Sequence, residues 1–229
     1  NTNEVRFMNI NENLCLVKEK ISLSCKNSCR KVSNVKLIAV SKNISVENIK
    51  LAIDSGQKDF GENRVQEACL KWQKLKKMYP DLSLHMIGSL QTNKVKQALS
   101  IFDVIETIDR LRLAKELVKY VGKIKKFPEL FVQINIGEEK NKSGCPPAES
   151  IDFIRECREL GLKISGIMGI PPVGYDPSPF FALLLTIAKQ VSVKKISMGM
   201  SSDYELAIYM GATHIRVGTD IFGVRNIVG

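Results

Sequence analysis

Lys42 ends an apolar, β-branched run, VKLIAVSK (35–42). A lysine at the buried end of a strand is rare unless something there holds it. Partial shielding disfavours the ammonium form and leaves a neutral amine available as a nucleophile. Two other stretches offer what such an amine would need beside it. GMSSD (199–203) brings hydroxyls and backbone N–H groups to the start of a helix, where they suit an anion. RVGT (216–219) supplies a fixed cation in Arg216, a backbone without a side chain at Gly218 and a hydroxyl at Thr219. A lysine beside an anion grip fits a phosphorylated carbonyl compound held as a Schiff base. Pyridoxal phosphate meets that description, and so does the sugar phosphate of a lysine aldolase. The bland alternative is a solvated strand-end lysine, an ordinary helix cap and an ordinary turn.

These residues act together only if the fold brings them to one place. Short apolar stretches alternate with longer amphipathic ones. Strands are predicted at 35–41, 58–62, 82–88, 104–108, 130–136, 163–170, 194–199 and 213–218. Helices are predicted at 45–55, 64–79, 91–99, 110–124, 147–160, 178–191 and 202–210, with an extra N-terminal helix near 9–29. Ser45, Asp109 and Ser201 or Ser202 read as N-caps, and Gly56, Gly161 and Gly211 as C-terminal stops. Strand–helix alternation repeated eight times predicts parallel strands joined by right-handed crossovers. The simplest closure is a single α/β domain, a (β/α)8 TIM barrel over residues 1–229. An open doubly wound sheet is the alternative, but no glycine-rich dinucleotide fingerprint follows the first strand. In a barrel the chemistry sits at the C-terminal ends of the strands, and loops seven and eight commonly bind phosphate. Lys42, leaving strand one, is then their neighbour.

Composition narrows the class. The chain has 229 residues, 44% hydrophobic and 25% charged, as a soluble globular protein would. No apolar run reaches the ~18–20 residues that span a bilayer. The polar start, NTNEVRFMNINENL, lacks the centre of a signal peptide. Residues 1–8 read as disordered or vector-derived, with Met8 a candidate native start. Cysteines 15, 25, 29, 69, 145 and 157 are scattered, which reads as a reducing, cytoplasmic compartment. Cys25 and Cys29 could share a helix face, but a metal site needs further ligands and none is expected. The net charge of +10 is partly clustered in KWQKLKK (71–77) and KIKK (123–126). Both read as solvated outer faces of helices. Neither carries the interleaved aromatics of a stacking platform, so only weak, salt-sensitive contact with nucleic acid is expected, and nothing specific.

Six collinear motifs carry a resemblance. AVSK (39–42), FGENRVQE (60–67), HMIGSLQTNK (85–94), QINIGEEKNKSG (133–144), SMGMSSD (197–203) and RVGTDIFGVR (216–225) resemble the YggS/PROSC family of pyridoxal phosphate homeostasis proteins. The resemblance implies a barrel similar to the N-terminal domain of alanine racemase, the fold-type III barrel. It implies pyridoxal 5′-phosphate as cofactor, linked as a Schiff base to Lys42. It also implies a phosphate grip from Ser201, the N–H groups of Met200 and Ser202, Arg216, Gly218 and Thr219, with Asn63 and His85 beside the ring. No catalytic residue is implied. The chain departs from the family in reading Asn43-Ile44-Ser45 where a Lys-Pro is common, and in a short segment PPVGYDPSPF (171–180) after strand six. Lys142 matches a family lysine and is a candidate for a secondary role.

The expected function is therefore a carrier that holds and buffers the cofactor, and supplies it to pyridoxal phosphate-dependent apo-enzymes. A slow amino-acid racemase is the alternative. Racemisation needs a base on each face of the α-carbon, and none of Tyr79, Tyr120, Tyr175, Tyr204 and Tyr209 is an obvious partner for Lys42. The chain ends just after the barrel, so the second domain of alanine racemases is expected to be absent. A monomer is the expected state.

Overall fold

The computed structural model describes residues 9–223. The expectations for residues 1–8, and Val224 and Arg225 of the last motif, lie outside the described residues. Within them the chain forms eight strands: β1 (Lys36–Val40), β2 (Asp59–Glu62), β3 (Ser83–Met86), β4 (Val104–Ile108), β5 (Glu129–Ile134), β6 (Ile164–Gly169), β7 (Lys195–Ser197) and β8 (His214–Val217). The helices are α1 (Ile10–Asn27), α2 (Val46–Asp54), α3 (Val65–Met78), α4 (Val95–Leu99), α5 (Leu111–Val118), α6 (Ser150–Glu159), α7 (Ser178–Gln190), α8 (Tyr204–Tyr209) and α9 (Thr219–Phe222). Every strand pairs in parallel with its successor, and β8 closes on β1 with Ala39 opposite Val217. This is the expected (β/α)8 barrel with its extra N-terminal helix.

The outward faces of the strands meet the helices in an apolar layer. Phe60 and Trp72 are both fully buried there, with ring centroids 4.9 Å apart. Burying a large apolar side chain is worth about 1.5–3 kcal/mol, so this layer dominates the stabilisation of the barrel. Helix α1 packs on α2, α8 and α9. Asn9 and Glu12 close a capping box at its start.

Several local readings change. Ser45 does cap α2, accepting the Asn48 N–H, and Gly56, Gly161 and Gly211 do adopt positive φ after their helices. The helix expected over 110–124 stops at Val118, and tight turns carry the chain through Gly122. Apolar residues continue through Tyr120 and Ile124, but Gly122 takes φ +75°, a left-handed conformation that stops a helix. Arg110, not Asp109, holds the N-cap position of α5; the Asp109 carboxylate takes the Arg110 guanidinium and the Gly144 N–H instead. Helix α8 begins at Tyr204 with Asp203 in the cap position, later than Ser201 or Ser202. Residues 92–94 and 147–149 are 3₁₀ turns, and Cys29 lies beyond α1 with φ +54°, off the face of Cys25. KWQKLKK is not wholly a solvated face: Lys71 pairs with Glu62 and Glu67, and Lys76 with Asp103. Among the described residues no helix is long and apolar enough to cross a membrane.

Candidate functional site

The loops after β7 and β8 form a cradle of unspent donors. Among the described residues the backbone N–H groups of Ser201, Ser202, Gly218 and Thr219 have no hydrogen-bond acceptor. The two loops are tied together where the Asp220 N–H donates to Ser201 Oγ at 3.4 Å. Four such backbone donors on adjacent loops suit an anion with several oxygens. Met200, expected in the same grip, is turned away, because its N–H donates to Asp203 Oδ1 at 2.7 Å. That bond closes the turn and sets the shape of the loop rather than its affinity for a ligand.

Gly199 makes the turn possible. Its φ is +94°, and a Cβ there would lie 2.5 Å from Ala207 Cβ. Gly199→Ala is expected to cost about 1–3 kcal/mol through overpacking and to open the cradle. A lowered urea midpoint together with weaker competition by inorganic phosphate would check it; an unchanged midpoint would refute the packing argument.

Lys42 leaves the barrel beside this cradle. Gly218 packs against Val40, where an added Cβ would stand 3.3 Å from Val40 Cβ. Lys42 follows two residues later, half-buried, in a turn. The register of β1 against β8 therefore brings the lysine loop and the anion loops together, as expected from closure.

Beneath the mouth the barrel interior is polar and charged. Arg216, expected in the anion grip, points inward: its guanidinium donates to Ser197 Oγ at 2.6 Å and to the Gly169 carbonyl at 3.1 Å. Ser197 Oγ donates in turn to Glu106 Oε2 at 2.6 Å, and His85 Nδ1 meets Glu106 Oε1 at 2.7 Å. On its other side His85 faces Asp59 Oδ1 at 3.4 Å, and Asp59 pairs with Lys36 at 2.7 Å. Charges thus alternate along the barrel axis. His85, expected to line the pocket, is fully enclosed within this chain. Burial draws its pKa down, but the hydrogen bonds to Asp59 and Glu106 outweigh burial and hold it above the ordinary value. Glu106 is held below the usual range: burial raises it, and the His85 hydrogen bond with the charges of His85 and Arg216 more than reverse that. His214 is pulled down to about 4, chiefly by burial, and is neutral.

Two cavities open across the β2–β6 side of the mouth. One of about 460 Å³ is lined by Asn63, Arg64, Gly88, Ser89, Gln91 and Lys94. Another, of about 230 Å³, is lined by Gly88, Gln133, Asn135, Glu139, Lys142 and Pro171, among others. Asn63 Oδ1 is buried without a partner among the described residues, an acceptor awaiting a donor. Lys142 is exposed at the rim, and the short segment after β6 leaves Val173 and Tyr175 largely exposed. Glu62 and Ser197 stand in the strand-end motifs but, like Glu106, were given no role from the sequence. The signal for Glu106 was in plain view: one carboxylate in an otherwise apolar strand, VIETI, must be paired if the strand is buried.

A barrel with a half-buried lysine after its first strand and an anion cradle after its last two is an alanine-racemase type of barrel. The alanine racemase N-terminal domain family matches residues 20–226. The "Pyridoxal phosphate homeostasis protein" of Aquifex aeolicus is 37% identical over 96% of this chain and 100% of its own length. PipY of Synechococcus elongatus, solved with PLP bound, superposes with a TM-score of 0.78 at 35% identity, covering 93% of this chain and all of that one. Alanine racemase from Acinetobacter baumannii shares the fold at 16% identity and a TM-score of 0.70, over 95% of this chain and 61% of its own. The chain belongs to the pyridoxal phosphate homeostasis protein family.

Proposed function

We propose that this chain binds pyridoxal 5′-phosphate at the barrel mouth and serves its intracellular homeostasis, buffering the cofactor and supplying it to apo-enzymes without sustained catalysis of its own. The observation that carries this reading is the set of four N–H groups beside the Lys42 turn that have no acceptor among the described residues. A phosphate monoester needs several donors on its oxygens, and Ser201, Ser202, Gly218 and Thr219 supply them. Gly218 keeps the backbone close enough to reach. Asn63 Oδ1 is an acceptor for a hydroxyl or N–H on the ring. Arg216 is fixed from beside and below by Gly169 and Ser197, and it gives the mouth a positive floor. His85 acts through Glu106 and Ser197, holding that floor in place. When bound, the cofactor supplies the aldehyde, and Lys42 supplies the amine that captures it.

The same reading takes residues 1–229 as one domain that works as a cytoplasmic monomer. It assigns no catalytic residue; sustained racemisation of alanine at an enzyme-like rate would overturn that part. The first test is the visible spectrum of the protein incubated with pyridoxal phosphate, before and after borohydride, followed by peptide mass mapping. The expected result is a band that borohydride bleaches and a reduced pyridoxyl group on Lys42. No band, or label on surface lysines alone, would refute the reading.

A further inference from the structure

The turn carrying Lys42 is gripped from behind by charged side chains of α3. Lys71 Nζ donates to the Ser41 carbonyl at 2.7 Å. Glu67 Oε1 accepts the Asn43 N–H at 2.6 Å. The first bond anchors the peptide plane on the N-terminal side of Lys42, and the second anchors the plane on its C-terminal side. Since a residue has only two soft backbone dihedrals, fixing both planes fixes the direction in which the Lys42 side chain leaves.

The two anchors are one unit. Lys71 Nζ reaches Glu67 Oε1 at 2.8 Å across one helical turn, and Glu62 Oε1 at 2.7 Å. Glu62 is fully buried, and its Oε1 also takes Ser41 Oγ at 2.7 Å and Trp72 Nε1 at 3.0 Å. The Lys71 side chain is only 11% exposed, unlike an ordinary lysine on a helix surface. Asn43 has φ +58°, in the left-handed region that asparagine adopts more readily than most residues, and this turns the chain back toward α3. Lys71 belongs to the lysine-rich run 71–77, whose charge the site as described above did not use.

We propose that Glu67 and Lys71, backed by Glu62, are positioning residues that aim Lys42 into the mouth and set how readily its amine takes and gives up the cofactor aldehyde. The inference rests on the reading of Lys42 as the cofactor-linking amine. Neither side chain reacts; each acts through a peptide group beside Lys42. Loss of the grip frees the turn, so Lys42 samples directions that do not meet the cradle. Capture then slows and release quickens.

The test loads full-length protein with pyridoxal phosphate and follows release to hydroxylamine through loss of the visible band. In Glu67→Ala, release is expected to rise about tenfold or more, the effect of one lost charge-assisted hydrogen bond. Borohydride labelling of Lys42 during loading slows in parallel, while the melting curve shows a folded protein. Glu67→Gln keeps an acceptor for Asn43 and is expected to stay within about threefold of the parent by the same measure. Lys71→Met is the companion variant. If it does not fold, the Glu67 pair decides alone, because Lys71 keeps Glu62 as partner there. Release within twofold of the parent in a folded Glu67→Ala overturns the proposal. A parent protein with no band and no Lys42 label refutes the cofactor reading itself, a separate outcome.

Discussion

Lys42→Ala is expected to abolish the bleachable band and the pyridoxyl adduct completely, yet to leave a measurable, phosphate-dependent affinity for pyridoxal phosphate. The two halves of the result separate two devices. The amine on the turn after β1 makes the covalent link, and no other lysine stands in that turn. The cradle of Ser201, Ser202, Gly218 and Thr219 holds the phosphate through backbone N–H groups that the substitution does not touch. Losing the link is expected to weaken binding about 100-fold, equivalent to about 2.7 kcal/mol. Equilibrium dialysis with and without inorganic phosphate measures it. The remaining binding should be competed by phosphate and should be lost for pyridoxal, which lacks the phosphate. A band that survives in Lys42→Ala would move the link to another lysine. Loss of all affinity would mean that the cradle does little alone.

Glu106→Ala is expected to be among the most destabilising single changes in the barrel. Glu106 is fully buried and joins His85 to Ser197, and through it Arg216. Removing it leaves the buried Arg216 without a nearby carboxylate and His85 with Asp59 alone, which typically costs about 3–5 kcal/mol. At about 2–4 °C per kcal/mol, the melting temperature falls by roughly 10 °C or more. The loss should depend on pH in a definite way. Glu106 has a depressed pKa in the fold, so its contribution is present above its unfolded value near about 4.3 and disappears as pH falls through the folded one. His85 has a raised pKa, so its contribution is complete below its unfolded value near about 6.5 and disappears as pH rises through the folded one. The gap between parent and Glu106→Ala in urea should therefore be widest at about pH 5–6 and narrow on either side. A gap that does not change with pH would mean that the cost is a cavity and not a broken charge pair.

The architecture was largely legible because its signals are local and repeated. Most strands are short apolar stretches between longer amphipathic ones, so all eight were visible, and VIETI matches β4 end to end. Helix ends were less legible where the competitor is a tertiary contact. Asp109 looks like a cap by type, but an arginine next to it and the Gly144 N–H across the mouth claim its carboxylate. The site divides in the same way. Lys42, Ser201, Ser202, Gly218 and Thr219 sit at strand ends, where the barrel itself says what they face. Arg216 lies one residue before the end of β8, and a period of two sends its side chain inward to Ser197 and Gly169. Its place in the RVGT motif and the family resemblance had put it with the anion. The clamp on Lys42 was hidden because it joins residues about thirty positions apart, and because a lysine-rich helix face looks solvated until its neighbours are known.

The docking of α1 sets an order of events. Helix α1 is made first, yet its buried face rests on α8 and α9, which are made last. Asn13 Nδ2 donates to the Ile221 carbonyl at 2.9 Å, and Arg30 to the Ile208 carbonyl at 2.5 Å, so the back of the anion loops is fastened to the opening segment of the chain. β1 likewise has no partner on one side until β8 arrives. A nascent chain on the ribosome therefore exposes an apolar helix face and an unpaired strand edge until β8, α8 and α9 have been made, the situation in which chaperones are most needed. On the proposed reading the site forms late: Lys42 is made well before the loops after β7 and β8 that would hold the phosphate, so loading waits for those two loops.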